Sequence, residues 1–288
     1  MDPPRRSPGE PQSDPDAASL PGVWNTTGAL NASAGVLVPR PWRLGDPPPS
    51  PPPTAAPPLL LLIDRRALGP SSPRADPLAT LTAEERQRHA AFRRSADQER
   101  FLLGRAGLRQ VLGHWLGRHP GTVPLEIGVH GKPQCPEGPA FNLSHSGDLI
   151  LLAFHPVGAV GVDVERLRSD LDWRSIARRV FPPARVAALE ELAAGERAAA
   201  FLQDWCRLEA RLKARGEGLA GLERPLRHEA VARGGAAAGL PPGGRESGRE
   251  ILWDVRVPPG YAAALVLATP LMDPPAVAAG GDHPSPPE

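Results

Sequence analysis

The chain has 288 residues and carries 33 basic against 32 acidic side chains, a balance that argues against the basic excess or stripe of a dedicated nucleic-acid binder. Its 38 prolines and 30 glycines are unevenly spread, with 16 prolines in residues 1–58 and six in 270–288, so residues 59–270 remain for a core. The longest aliphatic run, Leu59 to Ile63, is far below the ~20 residues of a membrane-spanning helix, and Cys135 and Cys206 form no CxxC pair, which makes a reducing cytoplasm the default compartment.

Residues 1–58 hold runs such as Pro47-Pro48-Pro49 and Pro51-Pro52-Pro53, favour polyproline II, and are expected to be a disordered leader; 271–288 is expected to be a disordered tail. Leu59 to Asp64 reads as the first buried strand. Thr82 with Glu85 forms a capping-box pattern opening a helix to about Arg94, and Ser95 with Gln98 opens another carrying Phe101, Leu102, Leu108, Val111, Leu112 and Trp115 at helical spacing. A short strand pattern at Leu125, Ile127 and Val129 leads into the turn signal Gly131-Lys132-Pro133. Phe141 to Phe154 resembles a hairpin broken at Gly147-Asp148, and Val157 to Glu165 is a further strand. Helical patterns follow at Trp173–Val180, Pro183–Leu192 and Glu196–Arg215, then a Gly-rich loop from Gly234 to Gly248, and strands near Ile251–Val257 and Tyr261–Ala268. Strand, helices and strands thus occur twice, which predicts an α+β fold of two similar halves, 59–156 and 157–270.

Three segments carry candidate chemistry. In Gly161-Val162-Asp163-Val164-Glu165 the side chains alternate, so Asp163 and Glu165 share one face of the strand. Two such carboxylates suit Mg²⁺, which takes hard oxygen ligands from one or two carboxylates plus substrate phosphates; a half-exposed edge strand with solvated acids gives the same pentapeptide. On the helix near residue 205, Phe201, Trp205, Leu208 and Leu212 form an apolar arc, with Glu209 and Lys213 one turn apart along its edge, as an ordinary ion pair would also be. Lys213 and Lys132 are the only lysines among 33 basic residues, a retention that suits places where a compact ammonium meets a phosphate and a guanidinium does not fit, and that chance in an arginine-rich chain would equally leave. The third segment is Phe141-Asn142-Leu143-Ser144-His145-Ser146, whose hydroxyl and imidazole donors suit phosphate oxygens. A Ser144–His145 nucleophile pair is disfavoured, because strand neighbours point to opposite faces and no GxSxG elbow is present.

As an ordered set, Gly131-Lys132-Pro133, Phe141 to Ser146, Gly161 to Glu165, and Trp205-x-x-Leu208-Glu209-Ala210-x-x-Lys213 with Gly216 and Gly218 resemble the 4′-phosphopantetheinyl transferase superfamily. The helix bearing Arg100, Phe101, Arg105 and Arg109 looks like the family's N-terminal arginine helix, and Gly260-Tyr261 is similar to the start of its last core strand. The size suits the larger, two-half, surfactin-synthetase-activating type, a single-chain pseudo-dimer with its active site between the halves. The resemblance implies Mg²⁺-dependent transfer of the phosphopantetheine arm of coenzyme A to a serine of an apo acyl or peptidyl carrier protein, as in fatty acid, polyketide or nonribosomal peptide biosynthesis, by a monomer. It further implies Asp163, Glu165 and Glu209 as metal ligands, Lys132, Ser144, His145, Lys213 and Arg105 as coenzyme A contacts, and Glu209 as the base with Glu165 as second choice. One position departs from the pattern: Leu208 stands where the family usually has lysine. The rival expectations are a metal-dependent nucleotide or coenzyme A hydrolase and an inactive carrier-binding scaffold.

Overall fold

In a computed structural model of the chain, the structure describes residues 35–67, 76–128, 131–216 and 249–269. Two four-stranded sheets form its centre. The first contains, in spatial order, β2 (Arg40–Pro41), β3 (Leu59–Asp64), β7 (Leu149–His155) and β6 (Ala140–Ser146). The second contains β1 (Val36–Leu37), β9 (Arg249–Val255), β10 (Tyr261–Thr269) and β8 (Ala159–Arg166). A small hairpin, β4 (Glu126–Ile127) and β5 (Pro133–Gln134), stands apart. The helices are α1 (Ala83–Ala90), α2 (Ser95–Leu116), α3 (Trp173–Val180), α4 (Pro183–Glu191) and α5 (Arg197–Arg215).

The duplication expected from the element order is present in the connectivity. In each half the first strand (β3 or β8) leads through helices to a hairpin (β6–β7 or β9–β10), and the hairpin's second arm returns antiparallel to the first strand and becomes its neighbour. The alternation of each strand then assigns its two faces. Leu60, Leu149, Leu151 and Ala153 of the first sheet meet Val160, Val162, Val164, Ala263, Leu265 and Leu267 of the second in one buried cluster, so the sheets pack face to face. On the outer face of the first sheet, Leu61, Ile63, Ile150, Leu152 and Phe154 pack with Leu108, Val111 and Leu112 of α2. The long helix α5 covers the outer face of the second sheet, where the Cys206 thiol lies 3.3 Å from the carbonyl of Ala262.

Local signals behave as their chemistry requires. Thr82 and Glu85 form both arms of the capping box. Gly147 turns the β6–β7 hairpin with φ +57°, and α2 and α5 both end on left-handed glycines, Gly117 and Gly216. The second helix starts at Ser95 without a side-chain cap; Gln98 instead donates from its amide to the carbonyl of Phe92.

The leader differs from expectation. Residues 35–58, read as disordered, supply β1 to the second sheet and β2 to the first, both in parallel pairing. Trp42 is 4 % exposed within the first core cluster, its amide donates to the carbonyl of Leu62, and the indole N–H of Trp115 donates to the carbonyl of Pro49. The physical reason is that proline is tolerated at a sheet edge and a single buried indole removes a large apolar area from water, neither of which needs periodicity. Residues 1–34, 129–130, the Gly-rich loop within 217–248 and the tail from 270 lie outside the described residues, as does Gly218.

Candidate active site

The site forms where β6, at the edge of one sheet, faces β8, at the edge of the other, under the C-terminal half of α5. Val162 and Val164 point into the cluster between the sheets, so Asp163 and Glu165 emerge together on the α5 side, as the alternation requires. The helix lies close on the strand because Gly161 has no side chain: a Cβ there would fall well inside contact distance of the Ala210 carbonyl oxygen and the Ala214 amide nitrogen. The face of α5 on the sheet is therefore the small one, Cys206, Ala210 and Ala214. Phe201 turns to the rings of Trp173 in α3 and Phe181 just after it, while Trp205 and Leu208 of the expected arc are half-buried.

That approach brings Lys213 onto the acids. Its Nζ is 2.5 Å from Asp163 Oδ1, 3.6 Å from Glu209 Oε2, and donates to Ser144 Oγ at 3.2 Å. Burial works against the Lys213 charge, yet Asp163 and then Glu209 hold its pKa above the ordinary lysine value. Burial is also the main cause that raises Glu209, opposed by Lys213 and reinforced by Asp163 and Glu165. Glu165 is likewise raised, first by burial, with a hydrogen bond from Ser146 acting the other way. Asp163 acts on both Glu165 and Glu209, and the Cys206 thiol, raised well above its usual range by burial and then by Asp163, remains a neutral wall.

The donor set suits a hard cation. Asp163 is 2 % exposed, and its Oδ2 is buried without a hydrogen-bond partner. Among the described residues no group of three or more His, Cys, Asp or Glu side chains forms a ready metal cage. Mg²⁺ does not require one, since it is commonly held by one or two carboxylates together with phosphate oxygens and water. Asp163 and Glu165, with Glu209 facing them, fit that mode of binding.

The remaining expected residues separate. Ser144 is buried against β8, donating to Asp163 Oδ1 at 2.9 Å, whereas His145 lies on the opposite face of β6 towards α2 and is exposed. A Ser144–His145 pair is thus excluded by the pleat. Lys132 donates from Nζ to the carbonyls of Val160 at 2.9 Å and Lys213 at 2.6 Å, clamping the end of α5 to the start of β8. Arg105 does not join the site: it is buried, with Nε 3.6 Å from Glu85 Oε1, beside Arg109, which Glu85 also holds. That long ion pair and the ring of Phe101, 5.8 Å from its guanidinium carbon, hold it against α1 and α2. Among the described residues Arg207, next to Leu208, does not supply the missing cation, because it is buried in a network with Asp204 and Asp254. The sequence reads Ser146 as a phosphate donor and assigns Asn142 no role; both turn instead to β8, as the alternation of polar residues at 142, 144 and 146 allows.

Lys132 gives a testable consequence. Burial lowers its pKa from 10.5 to about 8. Below pH 8 folded and unfolded chains both carry the proton; between about 8 and 10.5 only the unfolded chain binds it, so stability rises with pH across that window. The unfolding free energy of the parent is expected to gain on that of Lys132→Met as pH is raised through this range, and a flat difference would contradict a buried ammonium.

The family model of the 4′-phosphopantetheinyl transferase superfamily matches residues 159–237. The chain is 38 % identical over 159 residues to the 4′-phosphopantetheinyl transferase HetI of Nostoc sp., covering 54 % of this chain and 67 % of that protein. It is 39 % identical over 121 residues to the 4′-phosphopantetheinyl transferase AcpT of Escherichia coli (strain K12), covering 41 % of this chain and 58 % of the relative. Against the 4′-phosphopantetheinyl transferase of Bacillus subtilis it is 29 % identical over 145 residues, covering 49 % and 63 %. The last two matches span less than two thirds of the relatives' length. Two topologically equivalent α+β halves in one chain, with paired carboxylates at their seam, are what the resemblance implied, and this chain belongs to the 4′-phosphopantetheinyl transferase superfamily.

Proposed function

We propose that this chain transfers the 4′-phosphopantetheine arm of coenzyme A to a serine hydroxyl of an apo carrier protein, releasing adenosine 3′,5′-bisphosphate, and that it works as a monomer because one chain supplies both halves. The observation that carries this reading is the meeting of Asp163 and Glu165 from β8 with Glu209 and Lys213 from α5 at the seam. The serine oxygen forms a bond to the phosphorus of the pantetheine phosphate, the bond to the bridging pyrophosphate oxygen breaks, and the nucleotide leaves with the electron pair. Glu209 takes the hydroxyl proton; its raised pKa brings it closer to neutrality, where a general base works best. Lys213 offers an ammonium to a phosphate oxygen in a half-buried setting, where charge neutralisation counts for more than in water. Asp163 and Glu165, with Glu209 facing them, would hold Mg²⁺, which when bound would further neutralise the pyrophosphate. The remaining N–H of Lys132 is suited to an outer phosphate oxygen, and exposed His145, on the α2 face of β6, to a phosphate lying outside the carboxylate cluster; Ser144, whose proton goes to Asp163, would have to turn from it to reach one. Arg105 has no part in this reading.

The test is incubation of the full chain with coenzyme A, Mg²⁺ and a panel of apo carrier proteins, read by intact mass and by nucleotide release. The expected result is a carrier bearing one phosphopantetheine for each nucleotide released, abolished by chelator and restored by Mg²⁺. Nucleotide release that ignores the carrier would instead make the chain a hydrolase, and neither product would make it a binding protein.

A further inference from the structure

We propose that Ser146 is a positioning residue for Glu165, and that β6 of the first half sets the carboxylates of β8 in the second through a ladder of side chains. The inference rests on the site reading above, in which Glu165 serves the metal and the pyrophosphate.

The two strands are the facing edges of separate sheets, and their outward backbone groups need partners. Among the described residues β6 and β8 are not paired by a backbone ladder. Side chains take its place at every second position. The N–H of Val162 donates to Asn142 Oδ1 at 2.9 Å, that of Val164 to Ser144 Oγ at 3.3 Å, and that of Arg166 to Ser146 Oγ at 3.0 Å. Two of these acceptors are hydroxyls, and each still has a proton to give. Ser144 gives its proton to Asp163 Oδ1 at 2.9 Å, and Ser146 gives its own to Glu165 Oε2 at 2.7 Å.

Each hydroxyl therefore accepts from one residue of β8 and donates to the carboxylate just before it, so its rotor has one orientation left. Asp163 has additional support, since it is buried and Lys213 holds the same oxygen. Glu165 is half-exposed at the open end, and among the described residues Ser146 is the side chain that holds it by a hydrogen bond. A slip of one residue would set Leu143 and His145 against β8 and remove both hydroxyls, which ties the register of β6 to the chemistry of the other half.

Groups that orient a metal-binding carboxylate typically change metal affinity by 10–100-fold when removed. The experiment is calorimetric titration of Mg²⁺ into the full chain saturated with coenzyme A, without carrier protein. Ser146→Ala is expected to weaken Mg²⁺ binding by about tenfold or more, while Ser146→Thr, which keeps the hydroxyl, stays near the parent. Ser146→Cys, of similar volume with a weak donor, should repeat the loss and serves if the alanine variant unfolds. Added to Glu165→Gln, Ser146→Ala should cost less than about twofold more, because the two groups act as one unit. Parent-like Mg²⁺ binding in Ser146→Ala, or an equal loss in both backgrounds, would overturn the proposal and leave the site reading standing. Unchanged Mg²⁺ binding in Glu165→Gln would remove the metal role of Glu165 and this proposal with it.

Discussion

Glu209→Gln is expected to lower phosphopantetheine transfer by about 10²–10⁴-fold, the range a general base contributes, while the melting temperature stays the same or rises slightly. The two halves of this expectation come from one fact. Burial holds the Glu209 pKa above the usual carboxylate value, so the folded chain binds its proton more tightly than the unfolded chain does, and ionising the group near neutrality costs stability. The amide has the same shape and no charge to bury. Its ion pair with Lys213 is long, at 3.6 Å, and Asp163 retains the ammonium at 2.5 Å, so little is lost with it. A structural glutamate would behave in the opposite way, losing stability and keeping activity. The same pKa direction sets a pH dependence: carrier modification at saturating coenzyme A should rise with pH through a value above 4.5, and this limb should vanish from the residual activity of the glutamine variant. Kinetics and thermal unfolding on the two proteins decide it; a destabilised variant with normal turnover would refute the assignment of the base.

Gly161→Ala is expected to lower stability by about 3 kcal/mol or more, at the upper end of overpacking costs, and to remove most of the activity. The added methyl would press on the backbone of α5 at Ala210 and Ala214, and backbone atoms in a helix have no rotamer by which to move aside. Either the helix lifts from the sheet or β8 bends away, and both motions separate Glu209 and Lys213 from Asp163. A displacement of about 1 Å at a reacting group costs on the order of a hundredfold in rate. For a domain of this size the loss corresponds to roughly 6–12 °C in melting temperature. Gly195→Ala is the control, since nothing lies within 4 Å of a Cβ at that position and it should be neutral. A Gly161→Ala protein as stable as the parent would show that the close seating of α5 on β8 is not required.

What the sequence determined by itself is whatever follows from local period and local turn chemistry. Alternation in 161–165 put both acids on one face because the side-chain period of a strand is two, and that holds in any sheet. Gly147 announced the hairpin, and Thr82 with Glu85 announced a helix start, because both signals act within a few residues. The repeated order of elements announced two halves. Tertiary structure decided everything that depends on which surfaces meet. The arc of Phe201, Trp205, Leu208 and Leu212 marked an apolar side of α5, but the sheet took the side of Cys206, Ala210 and Ala214, because only small residues allow the approach that Gly161 opens. Composition makes Lys132 a phosphate contact, yet its ammonium is bound to two backbone carbonyls, and the resemblance makes Arg105 a coenzyme A contact, yet it pairs with Glu85; a long side chain reaches partners that its sequence neighbours do not reveal. The leader was judged by composition alone, which does not register that one tryptophan can anchor a proline-rich segment at a sheet edge. The ladder from β6 to β8 depends on two edges coming together from different halves of the chain. Each strand carries half of the pattern, and neither half has meaning until the sheets pack face to face.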